Sequence, residues 1–320
     1  MEDEDRKNAQ LAAHFPHVTP KIPPNMTAAP RVWFITGSSS GLGLDMTRDV
    51  LAKGDIAVAT LRKPEVLSDL AAQYPPDRLI VLKVDVTILQ DILDAFKRAK
   101  EAFGRVDVVV SNAGTALLSE VEGTPDDVAR ALFEVNFWGS THVLQEAVRF
   151  MREENPHGEG GRIFQITSGT ELVGYPACGF YSATKHAIGG LAETLAKEVD
   201  PDWNIKITII SLGAFGTNAV GAMVKVPVHP AYDNPELLVA KSRNSILTSL
   251  TGSFDPMYEV KGDAAKAAGA IYRMSLLPSP PLRVPLGCVD LARAAAKSFL
   301  DEVEQYASWS VGLDKDEYLK

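Results

Sequence analysis

Tyr181 and Lys185 are the two residues whose types and spacing point most directly to chemistry in this sequence. Their separation of four residues places them on one face of a helix, one turn apart. A free phenol has a pKa of about 10 and is a slow acid or base at neutral pH. A neighbouring ammonium group lowers that pKa by stabilising the phenolate. The pair is therefore a candidate for protonating the oxygen of a carbonyl group as it is reduced, or for accepting that proton in reverse.

Polar residues follow the apolar runs that read as strands. Ser168 comes directly after the run Arg162–Thr167, where its hydroxyl can hydrogen-bond a substrate oxygen and stabilise developing negative charge. Asn112 follows Val106–Ser111, and the carboxyl ends of parallel strands are where such sheets bind ligands. Asn136 lies inside a helical stretch although asparagine is a poor helix former, which indicates a specific role. Taken singly, each also has an ordinary explanation as a cap, a turn or a satisfied core amide.

A glycine-rich turn joins the first predicted strand to the first predicted helix. Its spacing is GxxxGxG, from Gly37 to Gly43. Glycines let a pyrophosphate approach the backbone, and the helix N-terminus offers unpaired N–H groups to it. The turn therefore predicts a dinucleotide-binding site whose contacts are Gly37, Ser39, Ser40, Gly41, Leu42 and Gly43.

The end of the second predicted strand indicates which dinucleotide is bound. NAD-specific folds tend to place an acidic residue there to hold the ribose hydroxyls. This chain has Arg62 and Lys63 instead. Cations bind the 2′-phosphate of NADP, whereas a carboxylate repels it. The sequence therefore favours NADP(H). NAD(H) stays open, because Arg62 and Lys63 could also be ordinary surface residues that bind no phosphate.

The order of the elements predicts an α/β fold. Apolar runs alternate with amphipathic helical stretches, a pattern typical of a doubly wound, Rossmann-type parallel sheet of about seven strands with helices on both faces. The predicted strands are Val32–Thr36, Ile56–Thr60, Leu79–Val84, Val106–Ser111, Arg162–Thr167, Lys206–Leu212 and, as an edge strand because of Pro285, Leu282–Leu286. The predicted helices are Leu44–Lys53, Leu89–Phe103, Pro125–Met151, Tyr181–Val199, 262–276 and 289–304.

We predict one Rossmann-type domain over residues 31–320. Residues 1–30 are polar and carry five prolines, so we expect a disordered or loosely packed tail. Residues 218–260 contain four prolines and short amphipathic pieces, which is typical of a lid over a substrate site.

Composition excludes several classes of function. A net charge of −9 disfavours nucleic acid and anionic membrane surfaces as partners. The sequence has no apolar run long enough to span a bilayer, no secretory signal and no CxxC spacing between its two cysteines, so we expect a cytoplasmic protein. The six histidines lack metal-ligand spacing, so we expect no metal site. Ser168 lies outside any GxSxG motif, which argues against acyl transfer.

Taken together, these motifs resemble the short-chain dehydrogenase/reductase family, in its single-domain branch. The resemblance covers about residues 31–217 and rests on Thr36–Gly43, Asp85-Val86, Asn112-Ala113-Gly114, Asn136, Ser168, Tyr181 and Lys185, in family order. It implies that Tyr181 is the acid–base group and that Lys185 lowers its pKa and holds the nicotinamide ribose. It also implies that Ser168 orients the substrate carbonyl and that Asn136 supports a proton relay through water.

The resemblance also implies further cofactor contacts. Asp85 would meet the adenine amino group, next to Val86, and Asn112, Ala113 and Gly114 would line the cofactor channel. The family's Pro-Gly after the sixth strand is replaced by Leu212-Gly213, which leaves that backbone less constrained, while Thr217 stands where a hydroxyl meets the carboxamide.

The substrate is predicted to be a hydrophobic ketone, aldehyde or alcohol. The expected pocket residues are apolar: Leu172, Val173, Phe180, Phe215 and Met223. We also predict a homodimer or homotetramer, because Phe137, Trp138 and the small residues of the Tyr181 helix can pack against a partner subunit. Ordinary packing of these residues on the sheet is the alternative explanation. A cofactor-sensing regulator on the same fold is the alternative, although such a protein would be expected to lose the Tyr–Lys pair.

Overall fold

The computed structural model describes residues 29–215, 223–248 and 262–312. The predicted tail before residue 29, Thr217 and parts of the predicted lid (218–222 and 249–260) lie outside the described residues.

A sheet of seven parallel strands forms the centre of the protein. The strands are β1 Val32–Thr36, β2 Ile56–Leu61, β3 Leu79–Lys83, β4 Val108–Ser111, β6 Gly161–Ile166, β7 Ile205–Leu212 and β9 Arg283–Leu286. Their spatial order is β3-β2-β1-β4-β6-β7-β9, so the direction of winding reverses between β1 and β4. In open sheets of this kind, ligands bind in the crevice beyond the carboxyl ends of the strands at the reversal. The predicted doubly wound fold is confirmed.

Helices cover both faces of this sheet. Within the described residues they are α1 Gly41–Ala52, α2 Ser68–Ala71, α3 Leu89–Phe103, α4 Asp126–Phe133, α5 Ser140–Glu153, α6 Gly179–Glu198, α7 Leu238–Thr248, α8 Ala264–Ser275 and α9 Val289–Tyr306. Alternate residues of β1 enter opposite cores. Phe34 stacks on Phe96 with ring centroids 4.1 Å apart, whereas Trp33 stacks on Tyr272 at 5.3 Å. The apolar β1 run is thereby buried on both sides, as the sequence pattern indicates.

Three local predictions need correction. Helix α1 begins at Gly41, three residues before the predicted Leu44, because glycine can enter a helix directly from the turn. The predicted helix 125–151 is divided by a π-helical turn at Glu134–Gly139, which joins α4 to α5. A two-stranded parallel sheet, β5 Leu117–Leu118 with β8 Val224–Lys225, was not predicted because strands of two residues have no readable period.

The last strand follows the prediction for a proline-containing run. β9 pairs in parallel with β7, with Pro285 opposite Ser211, and forms the edge of the sheet. Among the described helices, none combines the length and apolar character that crossing a bilayer requires.

Candidate active site

Tyr181 and Lys185 lie in the first two turns of α6, at the carboxyl edge of the sheet. The Lys185 ammonium nitrogen is 5.8 Å from the centroid of the Tyr181 ring. The same ammonium donates a hydrogen bond to the carbonyl of Ile166 at 3.3 Å. Because Ile166 ends β6, this bond fixes the lysine above the strand that leads to Ser168. The helix register therefore brings the pair to the strand end, as the spacing indicates.

The Ser168 hydroxyl lies near the Tyr181 phenol, close enough to lower the pKa of that phenol. The Ser168 backbone is extended, and the same hydroxyl accepts a hydrogen bond from the backbone N–H of Thr170 at 3.2 Å. That bond begins a short 3-10 turn, Gly169–Glu171, and holds the serine side chain toward the helix. Two hydroxyl groups are thus close together, where a single carbonyl oxygen can contact both.

Burial dominates the protonation of both groups. Burial raises the pKa of the Tyr181 phenol to about 12, and the Ser168 hydroxyl offsets this in part. Burial also lowers the pKa of Lys185 to about 8. The expectation that Lys185 sets the phenol below its ordinary pKa is not met by the polypeptide alone, because burial dominates the pKa of Tyr181 and only the Ser168 hydroxyl opposes it. At neutral pH the phenol is protonated and can act as a proton donor.

Asn136 lies at the centre of the π-helical turn and is fully buried. Its side-chain oxygen accepts from the Thr115 N–H at 2.9 Å, and its amide donates to the Thr115 carbonyl at 2.8 Å. The same amide donates to the Thr184 hydroxyl at 3.1 Å. A π-helical turn displaces a residue from the regular helical register, and such turns are frequent at functional sites. The turn supplies the specific reason for an asparagine inside a helix.

Gly114 leaves its backbone open beside these groups. A Cβ atom at Gly114 would lie 3.2 Å from the Asn136 side-chain oxygen and 3.5 Å from the Lys185 ammonium. Gly114 itself is exposed, so a bound cofactor can approach its backbone, which lies next to the buried Asn136 and Lys185 side chains. This geometry fits the ribose position that the family resemblance implies.

The glycine turn between β1 and α1 has the backbone geometry that a pyrophosphate needs. Gly37 and Gly41 have φ angles of 71° and 53°, which favour glycine. Ser40 precedes the helix in an extended conformation, and its side chain makes no capping bond. The first N–H groups of α1 are therefore available to an anion. Ser39 and Ser40 are exposed, whereas the buried Leu42 side chain leaves only its backbone for a cofactor.

Asn112 holds the glycine turn in place. Its side-chain amide donates to the Thr36 carbonyl at 2.8 Å. The Thr36 hydroxyl accepts from the N–H groups of Asn112 and Ala113, at 2.9 and 3.0 Å. A Cβ atom at Gly43 would lie 2.8 Å from the Asn112 amide nitrogen and would overlap the Gly37 carbonyl. The glycines are thus required by close packing within the protein as well as by the approach of a ligand.

The remaining predicted cofactor contacts lie beyond β2, β3 and β7. Arg62 and Lys63 follow β2, are exposed, and make no ion pair within the described part of the chain. Asp85 accepts hydrogen bonds from the Thr87 N–H and hydroxyl, at 3.0 and 2.8 Å. Val86 is buried in the core, so its backbone is the part that can face a ligand.

Gly213 is constrained by its own neighbours. A Cβ there would overlap the Gly287 carbonyl, and the Gly213 N–H donates to Leu286 at 2.9 Å. The expectation of a less constrained backbone at Leu212-Gly213 is therefore wrong, because β9 packs against the end of β7.

An apolar cluster surrounds the Tyr181 ring, and we call it the Tyr181 cluster. It consists of Leu118, Ala177, Cys178, Tyr175, Tyr181, Met223, Val239, Ile246 and Leu247. Met223 reaches it because β5 pairs with β8. Of the predicted pocket residues, Met223 belongs to the cluster, and Leu172, Val173 and Phe180 are partly buried nearby in sequence. The contributions of α7 and of the β5 segment were missed, since their apolar residues carry no signal of which site they join.

Phe215 packs elsewhere. It joins the apolar core on the opposite face of the sheet, and Cβ atoms at Gly262 or Gly287 would overlap or crowd its ring. Its predicted place in the pocket wall is therefore corrected: the chain beyond Gly213 turns the phenylalanine toward α8 and β9.

The chain enters α6 through a strained residue. Ala177 has a φ of 65°, a conformation rare for residues other than glycine. Its carbonyl accepts a hydrogen bond from the Ser119 N–H at 2.8 Å, which ties the loop after β4 to the start of the Tyr181 helix. Such strain is often found beside functional sites.

A buried ion pair fastens α7 over the cluster. Glu120 and Arg243 form the pair, with side chains 3% and 13% exposed. Tyr232 adds a hydrogen bond to Glu122 at 2.6 Å on the same side. Arg243 lies on α7 between Val239 and Ile246 of the Tyr181 cluster, and its guanidinium group forms the ion pair with Glu120. In the described part of the chain, no group of histidine, cysteine and acidic residues is arranged to hold a metal ion.

Comparisons with known proteins show the family to which this chain belongs. The model of the short chain dehydrogenase family matches residues 31–226. An uncharacterized oxidoreductase of Schizosaccharomyces pombe is 34% identical over 292 residues, which cover 89% of this chain and 92% of that protein. A 3-ketodihydrosphingosine reductase of Bacteroides thetaiotaomicron is 29% identical over 286 residues, 87% of this chain and 96% of that protein.

Solved structures show the same architecture. A short-chain dehydrogenase from Streptomyces avermitilis superposes with a TM-score of 0.77 at 33% identity, covering 90% of this chain and all of that one. More distant structures share the fold. A Burkholderia phymatum protein in complex with NAD superposes with a TM-score of 0.69 at 19% identity, covering 86% of this chain and 95% of that one. ElxO, at a TM-score of 0.61 and 24% identity over 77% of this chain and 92% of that one, holds NADP. Matched along most of its length in sequence and in fold, this chain belongs to the short-chain dehydrogenase/reductase family of oxidoreductases.

Proposed function

We propose that this protein is an NADP(H)-dependent oxidoreductase that interconverts a hydrophobic ketone or aldehyde and its alcohol, with Tyr181 as the acid–base group. The observation that carries the proposal is the proximity of the Ser168 hydroxyl to the Tyr181 phenol at the end of β6, with the same phenol packed in an apolar cluster. An oxygen-binding pair of hydroxyls inside apolar walls suits a carbonyl carbon with hydrocarbon substituents.

Each residue has a separate task in this proposal. Bound NADP(H) supplies or accepts the hydride. Ser168 donates a hydrogen bond to the substrate oxygen, and Tyr181 donates the proton when that oxygen becomes an alkoxide. Lys185, whose pKa is about 8, stabilises the negative charge that forms on the phenol oxygen as the proton leaves. The same ammonium group holds the ribose hydroxyls. Asn136 joins the Thr115 backbone to α6 through Thr184 and supports a proton relay through water from Lys185.

The preference for NADP rests on Arg62 and Lys63. Ser38 donates from its backbone to the carbonyl of Thr60 at 3.1 Å, so the phosphate turn lies beside the end of β2. Arg62 follows two residues later and is exposed. A cation in that position can pair with a 2′-phosphate.

An Arg62→Glu variant tests that preference. We expect the KM for NADPH to rise at least tenfold while the KM for NADH changes less than threefold. Lys206→Glu, which makes the same charge change at the amino end of β7, away from the carboxyl ends of the strands, is the control. Equal effects of Arg62→Glu on both cofactors would rule out the assignment to the 2′-phosphate.

The apolar substrate class rests on the walls of the Tyr181 cluster. Leu118, Met223 and Leu247 present hydrocarbon beside the phenol, and the partly buried Arg243 is neutralised by the buried Glu120. The relative named as a 3-ketodihydrosphingosine reductase supports a carbonyl compound as substrate.

A panel of carbonyl compounds, followed by loss of NADPH or NADH absorbance, tests the function. We expect hydrophobic ketones or aldehydes to be reduced and carboxylated or phosphorylated ones to react poorly. Tyr181→Phe should lose at least 100-fold in kcat and keep its affinity for NADPH, since removing a general acid costs about that factor or more. A wild-type protein that binds NADPH but reduces no compound in the panel, and whose binding is unchanged by Tyr181→Phe, would instead be a cofactor sensor.

A further inference from the structure

A buried carboxylate lies three residues after Ser168. It belongs to Glu171, the last residue of the 3-10 turn Gly169–Glu171, and its side chain is 2% exposed. A charge buried this deeply is costly unless it is paired. Its ion-pair partner is Arg283, the first residue of β9. Because β7 lies between β6 and β9, the pair ties the turn after β6 to the edge strand of the sheet.

Helix α6 leaves room for this carboxylate at Gly189. A Cβ atom at Gly189 would lie 3.3 Å from the carboxyl carbon of Glu171 and from both of its oxygens. That is closer than ordinary van der Waals contact, so a side chain there would press on the carboxylate. Gly189 and Lys185 are both buried and lie one turn apart on α6. The Glu171 carboxylate is therefore packed against the same face of the helix that presents Lys185.

The backbone of the turn connects Glu171 to Ser168. The Glu171 N–H donates to the Ser168 carbonyl at 2.9 Å, and the Thr170 N–H donates to the Ser168 hydroxyl at 3.2 Å. At the other end of the turn, a Cβ atom at Gly169 would lie 2.9 Å from Leu291 of α9. The turn is thus held at its end by β9 and at its start by α9. A movement of Glu171 would carry with it the two N–H groups that fix the serine.

Arg283 has a second acidic partner, whereas Glu171 depends on Arg283. The Arg283 guanidinium also pairs with Glu193 at 3.0 Å, and both of these side chains are about one-third exposed. Replacing Glu171 by an amide therefore leaves the arginine paired and partly hydrated. Replacing Arg283 instead leaves a buried carboxylate without its ion-pair partner. The two substitutions perturb the same contact at different cost to stability.

We propose that Glu171 and Arg283 are positioning residues for the carbonyl reduction described above, because their ion pair holds the turn that keeps the Ser168 hydroxyl beside the Tyr181 phenol. This role rests on the proposed function, in which the two hydroxyls contact one substrate oxygen. Glu171 and Arg283 themselves touch neither substrate nor cofactor. A pair that served stability alone would change the folding of the protein without a selective effect on kcat.

Glu171→Gln tests the role in catalysis, since it keeps the shape of the side chain and removes its charge. We expect kcat to fall about tenfold, because a small displacement of an orienting group is costly in rate. The KM for NADPH should stay within about twofold of wild type. Added to Ser168→Ala, Glu171→Gln should cause no further loss, since the hydroxyl that it positions is already absent. A wild-type kcat in Glu171→Gln, or losses that multiply in the double variant, would overturn the proposal.

Arg283→Met separates positioning from stability. It should lower both the melting temperature and kcat, because the Glu171 carboxylate is then buried without a partner. Adding Glu171→Gln should restore much of the melting temperature and leave kcat low, since the ion pair is still missing. Recovery of both together would mean that the pair acts through stability alone, contrary to the proposal.

Arg149→Met is the matched control for a broken ion pair. Arg149 is 39% exposed and pairs on α5 with Glu146, whose side chain is 7% exposed. Breaking this pair should lower the melting temperature and leave kcat within about twofold of wild type. A loss of kcat as large as that of Arg283→Met would show that any broken ion pair of this kind slows the enzyme, and would overturn the assignment.

Fluorine NMR of protein labelled with 3-fluorotyrosine tests the position of Ser168 without turnover. The Tyr181 signal is identified by its absence from Tyr181→Phe. We expect Ser168→Ala and Glu171→Gln to shift this signal in the same direction, with no further shift in the double variant and none in Arg149→Met. A Tyr181 signal that either Ser168→Ala or Glu171→Gln leaves in place overturns the positioning role. If the shifts occur but the wild-type protein reduces no carbonyl compound, the proposed function fails while the positioning of Ser168 by Glu171 stands.

Discussion

The side-chain amide of Asn136 donates to the hydroxyl of Thr184 at 3.1 Å, across two helices. That hydroxyl in turn donates to the carbonyl of Tyr181 at 2.8 Å. The π-helical turn and the Tyr181 helix are therefore joined by one buried threonine, which touches neither substrate nor cofactor in the arrangement proposed above.

Replacing Thr184 tests whether it positions the tyrosine. Thr184→Val keeps the shape of the side chain but removes both hydrogen bonds, and it leaves the Asn136 amide with one partner fewer. We expect kcat to fall about tenfold with little change in the KM for NADPH, because about 1 to 1.5 kcal/mol of positioning is lost. Thr184→Ser, which keeps the hydroxyl, should restore at least half of the activity. If the serine variant is as slow as the valine variant, the effect comes from packing rather than from these bonds.

Lys185 should reduce the stability of the protein near neutral pH. Its pKa falls from 10.5 to about 8 on folding, so the folded state disfavours its charge. Between pH 8 and 10.5 the unfolded chain binds more protons at this site, and stability should rise with pH across that window. Lys185→Met should therefore unfold at higher denaturant at pH 7, by up to roughly 3 kcal/mol in the free energy of unfolding, while activity is lost.

Urea unfolding at pH 7 and pH 10 measures this effect. The advantage of Lys185→Met should shrink at pH 10. Lys197→Met, on an exposed position of the same helix, should change stability by less than about 0.5 kcal/mol at either pH. A Lys185→Met protein that is less stable than wild type at pH 7 would show that the lysine is net stabilising.

Gly43 should tolerate no side chain. Its Cβ would overlap the Gly37 carbonyl and press on the Asn112 amide, so Gly43→Ala must open the phosphate turn. We expect weaker NADPH binding, by at least tenfold, and a lower melting temperature. Gly190→Ala is the matched control on a helix, because nothing lies within 4 Å of the Cβ there. It should stabilise the protein by about 0.5 to 1 kcal/mol through helix propensity. Wild-type affinity in Gly43→Ala would show that the turn is not the cofactor site.

The Glu120–Arg243 pair should control the substrate side of the site. Arg243→Met leaves a buried carboxylate without its partner and should cost about 3 kcal/mol of stability. It should also raise the KM for the carbonyl substrate more than the KM for NADPH, because α7 then loosens over the Tyr181 cluster. The double variant Arg243→Met with Glu120→Gln removes both charges and should recover much of the stability. A double variant no better than the single one would show that the ion pair is not what holds α7.

Local sequence determined the frame of this protein. Three features are local in the sequence: the apolar strand runs, the glycine turn after β1 and the four-residue spacing of Tyr181 and Lys185. Once the strand runs are located, the polar residues that directly follow them are located as well. Because parallel strands end at one edge, this information is enough to bring Ser168, Asn112 and Tyr181 to the same side of the sheet.

Tertiary structure decided the rest, through contacts between segments far apart in the chain. The pairing of β5 with β8 puts Met223 beside Leu118, and the turn after β7 sends Phe215 to the other face of the sheet. The direction of the Tyr181 pKa is also a tertiary property, because it depends on how much water the packed segments remove from the phenol. Spacing in the sequence brings an ammonium group close to a phenol, but the dielectric surroundings of the pair exist only once those distant segments have packed.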